Sequence, residues 1–139
     1  MGRGVRVVGW GIRGLGLVMI GLGVLMWLGV ARQLVGLHML LGVLLVLLLW
    51  VQSALAARAG VSAGLVALAV VWGLVTPALG MTQTGLLPGS MHWVIQVAHL
   101  AVGIVALGLG DRLTAQARRA LVARGSAALA SSDLSRTAG

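Results

Sequence analysis

The chain has 139 residues, of which 60% are hydrophobic and only 9% are charged, and it carries a formal net charge of +8. A soluble domain of this size cannot hide so much apolar surface, so a membrane protein is expected. Cysteine is absent, which excludes disulfides, zinc thiolate sites and cysteine-based catalysis within these residues.

All ten basic residues are Arg, and they flank apolar runs instead of forming an aromatic-interleaved basic patch. The charge therefore points to a lipid bilayer and not to nucleic acid. Arg and turn signals divide the chain into a segment over residues 1–13, an apolar domain over 14–110 and an Arg-rich tail over 111–139. Four spans are expected inside the domain, at about 14–31, 34–57, 59–79 and 91–110, each near the roughly 20 residues that a bilayer needs. The first run ends in Val30-Ala31-Arg32-Gln33, a poor cleavage site for a signal peptide, so it reads as a span.

The first two links are short, at Arg32-Gln33 and at Arg58 to Gly60, and short links make neighbouring helices antiparallel. The fold expected is all-α: a four-helix transmembrane bundle, up-down-up-down. The third link, 76–90, holds Pro77, Gly80, Gly85, Pro88 and Gly89, and reads as a turn-rich lid over one end of the bundle. Arg32 falls on one side of this topology and the other nine Arg on the opposite side, which places both termini in the cytoplasm of a bacterial inner membrane. The tail begins as an Arg-rich helix, and from Gly125 its Ala and Ser content reads as disordered. Trp10, Trp27, Trp50 and Trp93 lie near span ends, as in an interfacial belt.

Few polar side chains remain at membrane depth, and two of them are histidines, each with a glycine four residues on: His38-Met-Leu-Leu-Gly42 and His99-Leu-Ala-Val-Gly103. Ionisable residues inside a membrane are costly and mark function. A glycine one turn from an imidazole clears a helix face for a flat ligand. Aligned on these histidines, residues 37–43 sit over residues 98–104, which suggests two pseudo-repeated hairpins about an axis along the membrane normal. Two facing imidazoles on such an axis form a natural bis-His site for haem iron.

Counting from Arg58 and Arg112 leaves the ligand pair open. His38 is 20 residues from Arg58 and His99 is 13 from Arg112, a depth difference of roughly 10 Å at the helical rise. His92 matches His38 in depth, so His38/His99, His38/His92, or His92 beside a propionate are alternatives, and the glycines favour the first. Arg32 would suit a propionate. Gln96, one turn before His99, could hydrogen-bond to it, and Gln52 could bridge helices.

With its two histidines 61 residues apart and the stretch Gln83-Thr-Gly-Leu-Leu-Pro-Gly-Ser-Met-His-Trp-Val-Ile-Gln-Val-Ala-His99, the chain resembles one four-helix half of the haem A synthase fold over most of residues 14–110. The resemblance implies a four-helix haem-holding unit. It does not extend to the synthase's Glu-x-x-His-Arg pattern, where this chain has Val35 and Met39, or to that family's cysteine pair. Haem holding without haem hydroxylation follows.

The functional expectation is a haem b protein that passes electrons, as a subunit or anchor beside a membrane or redox partner, with His38 and His99 on the metal and Gly42, Gly103, His92 and Arg32 around the cofactor. The alternatives are a cofactor-free structural subunit of a larger membrane complex and a (bacterio)chlorophyll-binding protein. No nucleophile–base pair, phosphate loop or intramembrane acid is present, so no independent catalysis is expected.

Overall fold

The computed structural model describes residues 1–137, and these form four α-helices with no strand: an all-α four-helix bundle. The helices are α1 (Gly2–Trp27), α2 (Val35–Ala59), α3 (Ala63–Thr82) and α4 (His92–Thr137). Short 3-10 turns at Arg32–Leu34, Gln83–Gly85 and Gly89–Met91 join them. All four helices are long and apolar enough to cross a membrane.

Local chemistry sets the helix ends. Gly29 lies past the end of α1 with φ +79°, a left-handed conformation that glycine adopts without Cβ strain. At the end of α2, Gly60 has φ +89°; its amide donates to Ala57 O and that of Val61 to Ala56 O. This pair of bonds is the Schellman arrangement. The Arg124 guanidinium of α4 adds a third donor to the same end, 3.2 Å from Arg58 O.

Paired contacts give the helix directions. Along α1, Gly4, Gly11 and Gly23 lie against Leu55, Leu48 and His38 of α2, while Gly2, Gly9 and Gly16 lie against Leu121, Thr114 and Leu107 of α4. Both series run in opposite senses, so α1 is antiparallel to both. His38 meets His99, Leu49 meets Gly110, and Gln52 meets Thr114, so α2 and α4 run parallel. These two helices form the central pair; α1 and α3 flank them and, among the described residues, do not touch.

The contacts recur at matched positions. Gly16 and Gly23 of α1 correspond to Gly73 and Gly80 of α3, 57 residues later in both cases. Gly23 lies against His38, and Gly80 against His99. On the central pair the offset is 61. Ser53 Oγ donates to Leu49 O and Thr114 Oγ1 to Gly110 O, each at 2.8 Å.

Three stretches differ from the sequence-based expectation. Residues 2–13 are not a separate segment but the first half of α1, because Val5, Gly9 and Ile12 are buried against the bundle. The 76–90 link is helical as far as Thr82: α3 continues through Pro77, whose ring removes one backbone donor, a loss that membrane helices tolerate. The tail remains helical to Thr137, so α4 has 46 residues and is about 69 Å long, roughly twice the hydrocarbon thickness.

Packing is uneven along the bundle. The hydrophobic core joins Val5 of α1, Leu49, Ala56 and Ala59 of α2, Ala69 of α3, and Ala106, Leu109, Leu113 and Ala117 of α4. All of these lie toward the Arg-rich end. Toward the other end, over residues 17–44 and 74–105, Ala31 is the one fully buried residue among those described.

Candidate functional site

The histidines of the central pair meet in the loosely packed half. The ring centroids of His38 and His99 are 6.4 Å apart, with the planes tilted by 56°. Each ring rests on a glycine of the preceding helix. A Cβ on Gly23 would lie 3.7 Å from His38 Cε1, and one on Gly80 only 2.9 Å from His99 Cε1. Alanine at position 80 would therefore push the His99 ring from its place.

Neither ring makes a hydrogen bond, and Nδ1 of both is fully buried without a partner. A buried polar atom left unpaired costs about 1–3 kcal/mol, and such atoms are rare in folded proteins. Two of the three such side-chain atoms among the described residues lie at this spot, in a half with almost no closed core.

The centroid separation is short enough for the two imidazoles to share one metal ion. The donor set is imidazole only: among the described residues no group of three or more His, Cys, Asp or Glu converges. Two imidazoles are too few donors for an all-protein metal cage, and they would suit a metal whose other ligands come with it.

The remaining expected site residues divide. Gly103 is half-buried and faces open space. Gly42 is also half-buried, but its face is occupied by Met19, whose Cε would lie 3.3 Å from an added Cβ. His92 is not brought to the pair; its Nδ1 lies 3.2 Å from Leu86 O, tying the start of α4 to the preceding loop. Arg32 is exposed and lies over Gly29, its Nη2 3.5 Å from where a Cβ would be, beside the carbonyl end of α1. Gln96 is half-buried and has no hydrogen bond within the protein.

The depth conflict between His38 and His99 arises from the choice of inner marker. The 61-residue offset of the central pair puts Arg58 level with Arg119 and not with Arg112, while the Arg124 side chain reaches back to the Arg58 carbonyl. Because α4 continues as helix beyond its apolar window, Arg112 lies deeper along it than Arg58 does along α2.

At the tightly packed end the structure builds polar contacts of its own. Gln52, fully buried on α2, donates from Nε2 to Thr114 Oγ1 of α4 at 2.8 Å, leaving its Oε1 unpartnered. Gly9 makes this possible, since a Cβ there would lie 2.7 Å from Thr114 Oγ1. Arg13 Nε lies 2.7 Å from Asp111 Oδ1, and its guanidinium stacks 5.2 Å from the Trp10 ring. Trp50 lies over Gly73 and donates to Val70 O, as Trp72 donates to Val102 O, because an unpaired indole N–H in hydrocarbon is costly. Sequence reasoning missed Gly23 and Gly80 as the seats of the rings; the equal seven-residue spacing of Gly16/Gly23 and Gly73/Gly80 is the signal that could have found them.

Comparison with protein families, with curated proteins and with solved structures gives no match for this chain.

Proposed function

We propose that this multi-pass membrane protein holds one haem b between α2 and α4 through His38 and His99. Its role would be that of an electron-transfer subunit or membrane anchor of a redox complex in a bacterial inner membrane, with both termini cytoplasmic. The observation that carries the reading is the pair of buried imidazoles, 6.4 Å apart and with unpartnered Nδ1 atoms, in the half of the bundle that lacks a closed core. Haem bound there supplies a one-electron couple whose potential follows from axial ligands, burial and nearby hydrogen bonds.

The chain's own residues do the rest. His38 and His99 bind through neutral imidazoles, which adds no charge to the membrane interior. Gly23 and Gly80 fix the planes of the two rings. The surrounding apolar helices exclude water. Two imidazole ligands would leave the metal no open position, which favours electron carriage over oxygen chemistry. The resemblance to half of the haem A synthase fold supports the same reading. The long cytoplasmic arm of α4, with Val122, Leu129 and Leu134 exposed, supports a subunit role beside a protein partner.

An absorption spectrum of the purified protein, expressed with ample haem, tests this. A Soret band that sharpens and shifts on reduction is expected. A colourless protein would leave the structural-subunit alternative, and red bacteriochlorophyll bands would replace haem with a chlorin.

A further inference from the structure

The two hairpins are unequal where a ligand would lie. One turn inward of each histidine is a half-buried glycine, Gly42 after His38 and Gly103 after His99. The face of Gly42 is filled by the Met19 methyl, while an added Cβ on Gly103 would meet nothing within 4 Å. By the 57-residue correspondence that pairs Gly16 with Gly73 and Gly23 with Gly80, the position matching Met19 on α3 is Thr76. Its side chain is shorter, and its Oγ1 turns back to Trp72 O at 2.9 Å. No Thr76 atom comes within 4 Å of a Cβ on Gly103, so the space that Met19 fills beside Gly42 is open beside Gly103.

We infer that the macrocycle is seated off the bundle axis, with one edge in the notch between Gly103 and Thr76, and that Met19 closes the mirror-image notch. The inference rests on the haem reading and adds a side to it. Thr76 and Met19 are positioning residues: one leaves room and the other denies it, so a flat tetrapyrrole without twofold symmetry of its own takes a single placement. Met19 is suited to plugging because an unbranched thioether fills irregular gaps.

The test uses the full chain in detergent and titrates haem b into wild type, Thr76→Met, Gly103→Val and Met19→Ala, with thermal melts of each ligand-free protein. Thr76→Met and Gly103→Val fill the notch from α3 and from α4. Each is expected to weaken haem binding at least tenfold, with a ligand-free melting temperature equal to or above that of wild type for Thr76→Met. Met19→Ala opens the mirror-image notch and is expected to bind haem in two placements, read as a doubled set of haem methyl resonances where wild type shows one; a single set would remove the positioning role of Met19. If a filled variant folds and binds haem as wild type does, the notch does not hold the macrocycle and the inference falls, with the haem reading intact. If Met19→Ala loses haem as fully as the filled variants, the side is wrong. If Thr76→Met fails to fold, Gly103→Val decides. A wild type that takes up no haem removes the proposed function and this inference together.

Discussion

The two ends of the bundle solve the problem of burying helices in different ways. At the Arg-rich end the helices close on each other. Val5, Leu113, Ala117 and Ala56 have no exposed surface, Gln52 and Thr114 bridge the central pair, and Arg124 covers the end of α2. At the other end the same helices stay half open, and the polar atoms at their centre, Nδ1 of His38 and His99, have no partner. The first end is closed by the protein's own contacts, with Gln52 Oε1 its one unpartnered buried side-chain atom among the described residues. The second has the composition of a membrane bundle without its packing, and the proposed haem would fill it. Stability and ligand retention should therefore separate under mutation.

The largest effect is expected at the open end. Replacing His38 or His99 with Ala should abolish haem retention, read as loss of the Soret band, while the helical circular-dichroism signal persists. His92→Ala should keep most of the haem, because His92 bonds to Leu86 O and is not part of the pair.

At the closed end Gly9→Val should act on the fold. The added side chain overlaps Thr114, and overpacking of this kind costs about 1–3 kcal/mol, measured as a lower melting temperature of the ligand-free protein. Protein that still folds should retain its haem. Gln52→Leu sharpens the contrast, since it removes a buried amide whose oxygen is already unpaired and leaves Thr114 bonded to Gly110 O. Its melting temperature should change little, within about 1 kcal/mol of wild type. The smallest effect belongs to Arg13→Gln. The Arg13–Asp111 pair is about half exposed, and such pairs contribute about 0–1 kcal/mol, less in high salt.

The sequence showed clearly what hydrophobicity and charge control, and showed poorly what packing controls. The four helices were readable because Arg32, Arg58 and Arg112 interrupt apolar runs of bilayer length. Their ends were not, because Val5, Ile12, Leu113 and Ala117 extend the buried face beyond the apolar windows, and hydropathy alone does not register such contacts. Pro77 suggested a break that helix packing overrides. In the site, His38, His99 and Gly103 stood out as polar or small residues in an apolar context, and the structure brings the two rings together. Counting arginines pointed instead to His92, because Arg112 was taken as level with Arg58 where the 61-residue offset of the central pair places Arg119. Gly42 and Gly103 looked equivalent in sequence. Only the side chain facing each, Met19 for one and open space for the other, separates them. Gln52 was legible as a helix bridge, but its partner Thr114 lay outside the expected span.

The central claim is that the open end is completed by haem held between His38 and His99. Titration of haem b into the ligand-free full chain, followed at the Soret band, tests it most directly. Saturation at one haem per chain, with a low-spin bis-imidazole spectrum that is lost in the His38→Ala/His99→Ala double variant, is the predicted result. Absence of saturable binding, or an unchanged spectrum in the double variant, would contradict it.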